Sequence, residues 1–161
     1  MSRIRALFPG RFQPFHNGHL KAIEQLANEN DEVVIAISAA QFNYLESDPF
    51  TSGERVYMIH SALKEAGFDL SRFYIVSILN VENNATYVSN LKSYSPYFDV
   101  VYSTNPLVLK LLDDAGIKVK SQALKERELL SGTEVRAMIL KGEDWEFYVP
   151  AAVAILGFFF T

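Results

Sequence analysis

Residues Val33 to Ser38 run Val-Val-Ile-Ala-Ile-Ser without one charged side chain. A strand with one wet face shows a polar residue at every second position, so this run predicts a strand buried on both faces. Such a strand needs helices on either side of its sheet, and the rest of the chain supplies them. Ile4 to Phe8 predicts a first strand, followed by a helix over about Asn17 to Asn28 with Leu20, Ile23, Leu26 and Ala27 on one face. Phe42 to Phe50 reads as loop, with Pro49 blocking regular structure. Thr51-Ser52-Gly53-Glu54 is a capping box that opens a helix with Val56, Ile59 and Leu63 on one face, stopped near Gly67. Phe73 to Leu79 predicts a third strand, and Ala85 to Ser93 a helix ended near Pro96. Phe98 to Tyr102 predicts a fourth strand, Pro106 to Ala115 a helix closed by Gly116, and Ile117 to Lys120 a short fifth strand. Ser131 to Leu140 predicts a helix with Gly142 after it, and a last helix is expected from about Asp144. The alternation predicts an α/β fold, a doubly wound (Rossmann-like) parallel five-stranded sheet in a single domain, 1–161.

Composition narrows the function classes. The 161 residues are 49% hydrophobic and 21% charged, which suits a globular chain with a real core. The net charge of -4 argues against broad, charge-driven nucleic-acid binding, while leaving room for a small basic pocket. The chain has no cysteine, which excludes thiolate catalysis, disulfides and cysteine zinc sites. No apolar signal segment opens the sequence, so a cytoplasmic protein is expected. Ala151 to Phe160 is an apolar tail, too short for the ~20 residues of a membrane span. It is expected to pack into the core or a subunit interface, with no membrane partner.

In open parallel sheets ligands bind outside the carboxyl ends of the strands, so site residues should follow strands. After the first strand comes Gly10-Arg11-Phe12-Gln13-Pro14-Phe15-His16-Asn17-Gly18-His19, which holds two of the three histidines. At a helix start the two imidazoles share a face at the positive end of the helix dipole, where an anion is favoured. Gly18 permits close approach of a ligand to backbone. A single histidine here could simply cap the helix, and the second could pack on the sheet. Two of them, with Arg11 and Gly18, point instead to phosphate binding. A metal centre is not expected, since His60 lies on another helix and no third ligand is evident. A second constellation is Leu130-Ser131-Gly132-Thr133-Glu134-Val135-Arg136. It places hydroxyls and free N–H groups at a helix start, and Arg136 one turn further on can fork onto phosphate oxygens. The Gly-rich dinucleotide fingerprint and the Walker loop are absent.

This pair of motifs resembles the HxGH nucleotidyltransferase superfamily. Three further segments bring it closer to the archaeal-type nicotinamide-nucleotide adenylyltransferase family: Ser38-Ala39-Ala40-Gln41, Asp48 to Arg55, and Tyr102 to Val108. The resemblance covers about residues 3 to 150. It implies that ATP and nicotinamide mononucleotide give NAD and pyrophosphate, by direct attack of the 5′-phosphate on the α-phosphorus.

The resemblance also implies roles. His16 and His19 would contact ATP phosphates, Arg11 would bridge phosphates near the reacting centre, and Ser131, Thr133 and Arg136 would hold the leaving pyrophosphate. Gly10, Asn105 and Arg127 would complete the ATP site. Asn84 would read the carboxamide, and Tyr87, where relatives often have tryptophan, would stack on the pyridine ring. Read as residues alone, Asn84 is a loop asparagine and Tyr87 a core tyrosine. Mg2+ would arrive on the triphosphate, held mainly by phosphates and water, with no protein ligand named. Homo-oligomers are common in the family. The chain departs from the pattern at Glu46-Ser47, where some relatives carry a basic residue, near Lys125 and Leu130, where aromatics are usual, and in its uncharged tail. Another adenylyl- or cytidylyltransferase of the superfamily, or a non-catalytic nucleotide sensor, remain the alternatives.

Overall fold

The computed structural model describes residues 2–121 and 131–157. Five parallel strands form one sheet in the order β3-β2-β1-β4-β5: β1 is Arg5–Gly10, β2 Glu32–Ile37, β3 Phe73–Ser77, β4 Val100–Ser103 and β5 Val119–Ser121. Every residue of β2 is buried, as the apolar run demands. Alternate side chains feed two cores. Val33, Ile35 and Ile37 pack on one face with α1 (Asn17–Glu29), α2 (Ser52–Glu65), α5 (Gly132–Lys141) and α6 (Ala151–Gly157). Val34 and Ala36 join Leu91 of α3 (Tyr87–Tyr94) and Leu112 of α4 (Pro106–Asp114) on the other face. The sheet is doubly wound. Its strand order reverses between β1 and β4, and that switch point is where such sheets bind ligands.

Local chemistry places the helix starts. Thr51 caps α2 and Ser131 caps α5, each reciprocated by the glutamate three residues on. Asn105 caps α4, which begins with Pro106 at a position where the missing N–H costs nothing. Gly142, at φ 69°, closes α5 in the left-handed region.

Several element ends shift by one or two residues from the sequence expectation, with β3 stopping at Ser77, β4 running from Val100 to Ser103, β5 from Val119 to Ser121 and α3 starting at Tyr87, and two further differences have a clear cause. The first strand continues past Phe8 through Pro9 and Gly10, which pair with Ala36 and Ile37. Pro9 is tolerated because β4 pairs only with Ala6 and Leu7, so Pro9 lies beyond that neighbour. The helix expected from Asp144 is instead a short 3-10 turn, Glu146–Tyr148, followed by α6 from Ala151. Pro150 explains the break: the residue before it, Val149, is held extended at φ -126°, ψ 156°. The Pro150 carbonyl then accepts the N–H groups of Val153 and Ala154 to start α6. No helix among the described residues is long and apolar enough to cross a membrane.

The described part of the apolar tail has two sides. Val153 is 1% exposed against α2, whereas Ile155 is 63% exposed. Val153→Ala should cost about 2 kcal/mol, read by urea denaturation, while Ile155→Ala should stay within about 0.5 kcal/mol. Equal effects would mean that the tail does not pack by this face.

Candidate active site

The loop after β1 turns sharply. Phe12 adopts φ 55°, a left-handed conformation that costs a non-glycine residue energy and is characteristic of functional sites. Its ring folds back over Gly10, where a Cβ would lie 2.9 Å from Phe12 Cζ and would have to displace the buried ring. Phe12 and Phe15 are buried, and their rings wall in the His19 imidazole at 4.7 and 5.5 Å between centroids.

His16 and His19 form a capping box built from imidazoles. His16 Nδ1 accepts the backbone N–H groups of Gly18 and His19, at 3.1 and 3.3 Å. His19 Nδ1 accepts the N–H of His16 at 3.2 Å, and the two rings stack at 3.6 Å. An Nδ1 that accepts carries no proton, so each ring bears its proton on Nε2. The two rings thus present neutral Nε2–H donors. Burial lowers the His16 pKa to about 4. Burial, and then the neighbouring His16, push His19 well below its ordinary value. Protonation at Nδ1 would also sacrifice the cap bonds. Capping and packing, the two structural roles weighed against function from the sequence, are both present. Neither role uses Nε2.

The cationic side is held by neighbouring loops. Arg136 Nη1 donates to the Gln13 carbonyl at 2.8 Å, and its Nη2 to Thr133 Oγ1 at 3.2 Å, which brings the start of α5 against the β1 loop. Gly132 fits beneath that guanidinium, where a Cβ would stand 3.2 Å from Nη1. Arg11, half exposed, lies 3.5 Å from both carboxylate oxygens of the buried Asp48. Burial lowers the Arg136 pKa, Asp48 opposes this, and Arg11 adds to it, so these charges share one neighbourhood. Asp48 Oδ2 accepts from Ser47 Oγ at 2.7 Å, while Oδ1 is buried without a hydrogen bond among the described residues.

Three residues of this site have structural roles that the sequence did not reveal. Gln13 uses both amide atoms on Phe50, donating to its carbonyl and accepting its N–H at 2.9 Å each. Gln41 pairs in the same way with Asn80. Arg55 is fully buried and donates to six carbonyls, those of Arg11, Ser38, Ala39, Ala40, Phe42 and Thr51, at 3.0 to 3.4 Å. It binds the loops after β1 and β2 to the start of α2. In the sequence it stands only as the last residue of the segment Asp48 to Arg55, just after a capping box.

Among the described residues, the other expected ones fall after strands or at helix starts. Asn105 follows β4 and spends its side-chain oxygen on the N–H of Leu107. Ser131 caps α5 through the N–H of Glu134. Asn84 is exposed at the start of the 3-10 turn Asn84–Thr86 after β3. Tyr87 packs against the second core, and burial pushes its hydroxyl up to about 12, so it stays neutral. Arg127, Lys125 and Leu130 lie outside the described residues. His60 is exposed on α2, and no group of three or more metal-ligating side chains occurs among the described residues.

Comparison with known proteins identifies the family. The Cytidylyltransferase-like family matches residues 7–138. A nicotinamide-nucleotide adenylyltransferase of Pyrobaculum arsenaticum is 51% identical over 152 residues, 94% of this chain and 85% of that protein. That of Methanothrix thermoacetophila is 45% identical over 150 residues, 93% of this chain and 86% of that protein. The chain belongs to the nicotinamide-nucleotide adenylyltransferase family. Among solved structures, a bifunctional NMN adenylyltransferase/ADP ribose pyrophosphatase from Francisella tularensis, complexed with AMP and a manganese ion, superposes with a TM-score of 0.75. It is 22% identical and covers 92% of this chain and 44% of that one, so it shows the shared fold. The family match over residues 7–138 runs from β1 into α5.

Two measurements follow from the geometry. The His16 pKa lies below its unfolded value near 6.5, so its contribution to stability is complete above pH 6.5 and is lost as pH falls toward about 4. The loss attributable to His16 should be roughly 3 kcal/mol, and replacing both histidines should flatten that part of the denaturation-against-pH profile. Arg55→Met removes the donor from six carbonyls, of which only those of Thr51 and Ala39 keep a backbone partner among the described residues, and should cost at least ~3 kcal/mol in urea denaturation. A loss below ~1 kcal/mol would mean that water serves those carbonyls equally well.

Proposed function

We infer that this protein transfers the adenylyl group of ATP to nicotinamide mononucleotide, forming NAD and releasing pyrophosphate. The observation that carries this reading is the family membership, at 51% identity across nearly the whole chain, together with an intact pair of neutral imidazole donors. An oxygen of the mononucleotide 5′-phosphate forms a bond to the α-phosphorus. The bond from that phosphorus to the bridging oxygen breaks, and pyrophosphate leaves with the electron pair. A phosphate at neutral pH is already nucleophilic, so no protein nucleophile or strong base is required. Catalysis then rests on positioning and charge stabilisation.

The residues suit those tasks. His16 and His19 supply neutral Nε2–H donors to the phosphate oxygens at the centre of attack, where donors already in place need no reorganisation. Arg11 and Arg136 supply the charge, with Arg136 aimed by Gln13 and Thr133 at phosphates seated over the start of α5. Gly10 leaves room for the Phe12 ring beside His19, and Gly132 for the Arg136 guanidinium. Ser131, Thr133, Asn105 and Arg127 complete the ATP contacts in this assignment, and Asn84 and Tyr87 take the nicotinamide end. An amide read by hydrogen bonds is discriminated from a carboxylate analogue.

Mg2+ is the divalent cation we assign, and it would offset the phosphate charge during transfer. The buried carboxylate nearest the centre, Asp48, sits beside Arg11 and shares its surroundings with Arg55 and Arg136, which suits an ion pair better than a cation. The triphosphate and water are therefore the fitting ligands for a small, hard ion.

A pyrophosphate-release assay with ATP or CTP against a panel of acceptors tests the reading. Release with ATP and nicotinamide mononucleotide is expected. Activity with CTP alone would point to another transferase of the superfamily, and none with any pair would point to a nucleotide sensor. His19→Ala should lower kcat by at least ~10²-fold with the fold retained by circular dichroism. Near-normal turnover would remove the histidine from the catalytic account.

A further inference from the structure

The segment after β3, residues 80–86, is almost bare. Asn80, Glu82, Asn83, Asn84, Ala85 and Thr86 are all exposed, so packing alone does not hold it. Its internal bonds are local turns: Asn83 accepts the N–H of Ala85 through its side chain, and its carbonyl accepts from Thr86. What joins it to the sheet is the side-chain amide of Gln41.

Past the end of β2 the backbone turns away, with Ala39 at φ 50°. Just before the strands diverge, Ile78 N–H donates to the Ile37 carbonyl at 2.8 Å, and Ala40 N–H to the Ile78 carbonyl at 3.0 Å. One residue later the backbones no longer reach each other. There Gln41 Oε1 accepts the Asn80 N–H at 2.9 Å, and Gln41 Nε2 donates to the Asn80 carbonyl at 3.3 Å. A primary amide is itself a peptide-like donor and acceptor pair, so this side chain serves as one more rung of the β2–β3 ladder. Asn90 Nδ2 grips the adjoining Leu79 carbonyl at 2.9 Å from α3. Gln41 is exposed yet has both amide atoms committed, an arrangement with no evident purpose for the core.

We propose that Gln41 is a positioning residue for the mononucleotide acceptor: by pinning Asn80 it fixes the entry of the loop that presents Asn84. This rests on the reading that Asn84 meets the nicotinamide group. Gln41 touches no reacting atom, and its influence is confined to the acceptor side, because the imidazoles and Arg136 are held by other partners. Without the pair, binding of the acceptor must first order the loop, and that cost falls on acceptor affinity.

The test is steady-state kinetics of Gln41→Ala and Gln41→Glu, with ATP and nicotinamide mononucleotide each varied in turn, beside melting temperatures. Two lost hydrogen bonds should raise KM for the mononucleotide about 5- to 30-fold in Gln41→Ala, with KM for ATP within about twofold and a melting temperature near wild type. Gln41→Glu keeps the acceptor for the Asn80 N–H but loses the donor, and should fall between the two. An unchanged mononucleotide KM overturns the proposal, as does a parallel rise in both KM values. Asn84→Ala, assayed alongside, separates this claim from the one beneath it. If Asn84→Ala raises the mononucleotide KM and Gln41→Ala does not, only the positioning role fails. If neither does, the assignment of the loop fails as well.

Discussion

The site depends on the reciprocal cap between His16 and His19. Each imidazole accepts backbone N–H through Nδ1, and this single arrangement decides several things at once. It begins α1, fixes the tautomer of both rings, and gives protonation a cost additional to burial. The rings therefore remain neutral at physiological pH, each with its proton on Nε2. Neutral donors are well suited to a reaction in which charge shifts among phosphate oxygens and two anions must still meet. A pair of imidazolium ions stacked at 3.6 Å would repel one another and could not both sit in a buried cap.

Around this cap, the loops at the carboxyl edge of the sheet are held by side chains that imitate backbone. Gln13 pairs with both polar groups of Phe50, and Gln41 with those of Asn80. Arg55 gathers six carbonyls at the centre. Strands end where their backbones diverge, and a site at the strand ends has few ladder bonds to hold it. Side-chain amides and a guanidinium extend hydrogen bonding past that limit, which keeps the donors placed before ligand arrives. The strain at Phe12 persists inside the same framework, with the ring buried between Gly10 and His19.

Much of this architecture was legible from sequence for definite reasons. The β2 run from Val33, without a charged side chain, implies coverage on both faces, and the capping box at Thr51 and the hydroxyl residues from Ser131 locate two helix starts within a residue. Arg11, His16, His19, Thr133 and Arg136 belong to two motifs far apart in the chain, and the fold brings those motifs together through the bond from Arg136 to Gln13. The end of β1 was not legible, because whether Pro9 can continue a strand depends on how far the neighbouring strand reaches. Arg55 was not legible either, since an arginine one turn into a helix reads as solvated unless tertiary structure closes over it. Gln13 and Gln41 carry no periodicity, and only the folded loops show that their amides act as backbone. The last helix was misplaced by counting Asp144 to Tyr148 as helical, when Pro150 obliges Val149 to be extended.

The central claim is that His16 and His19 are neutral imidazoles with their protons on Nε2, as the proposed role of phosphate donor requires. Nitrogen-15 correlation spectra of the histidine side chains at neutral pH test it most directly, because the chemical shifts of Nδ1 and Nε2 distinguish the two tautomers from imidazolium. Both His16 and His19 should show a protonated Nε2 and a bare Nδ1, unchanged as the pH is lowered through 6.5. A proton on Nδ1 of either ring, or an imidazolium signal at pH 7, would contradict the account.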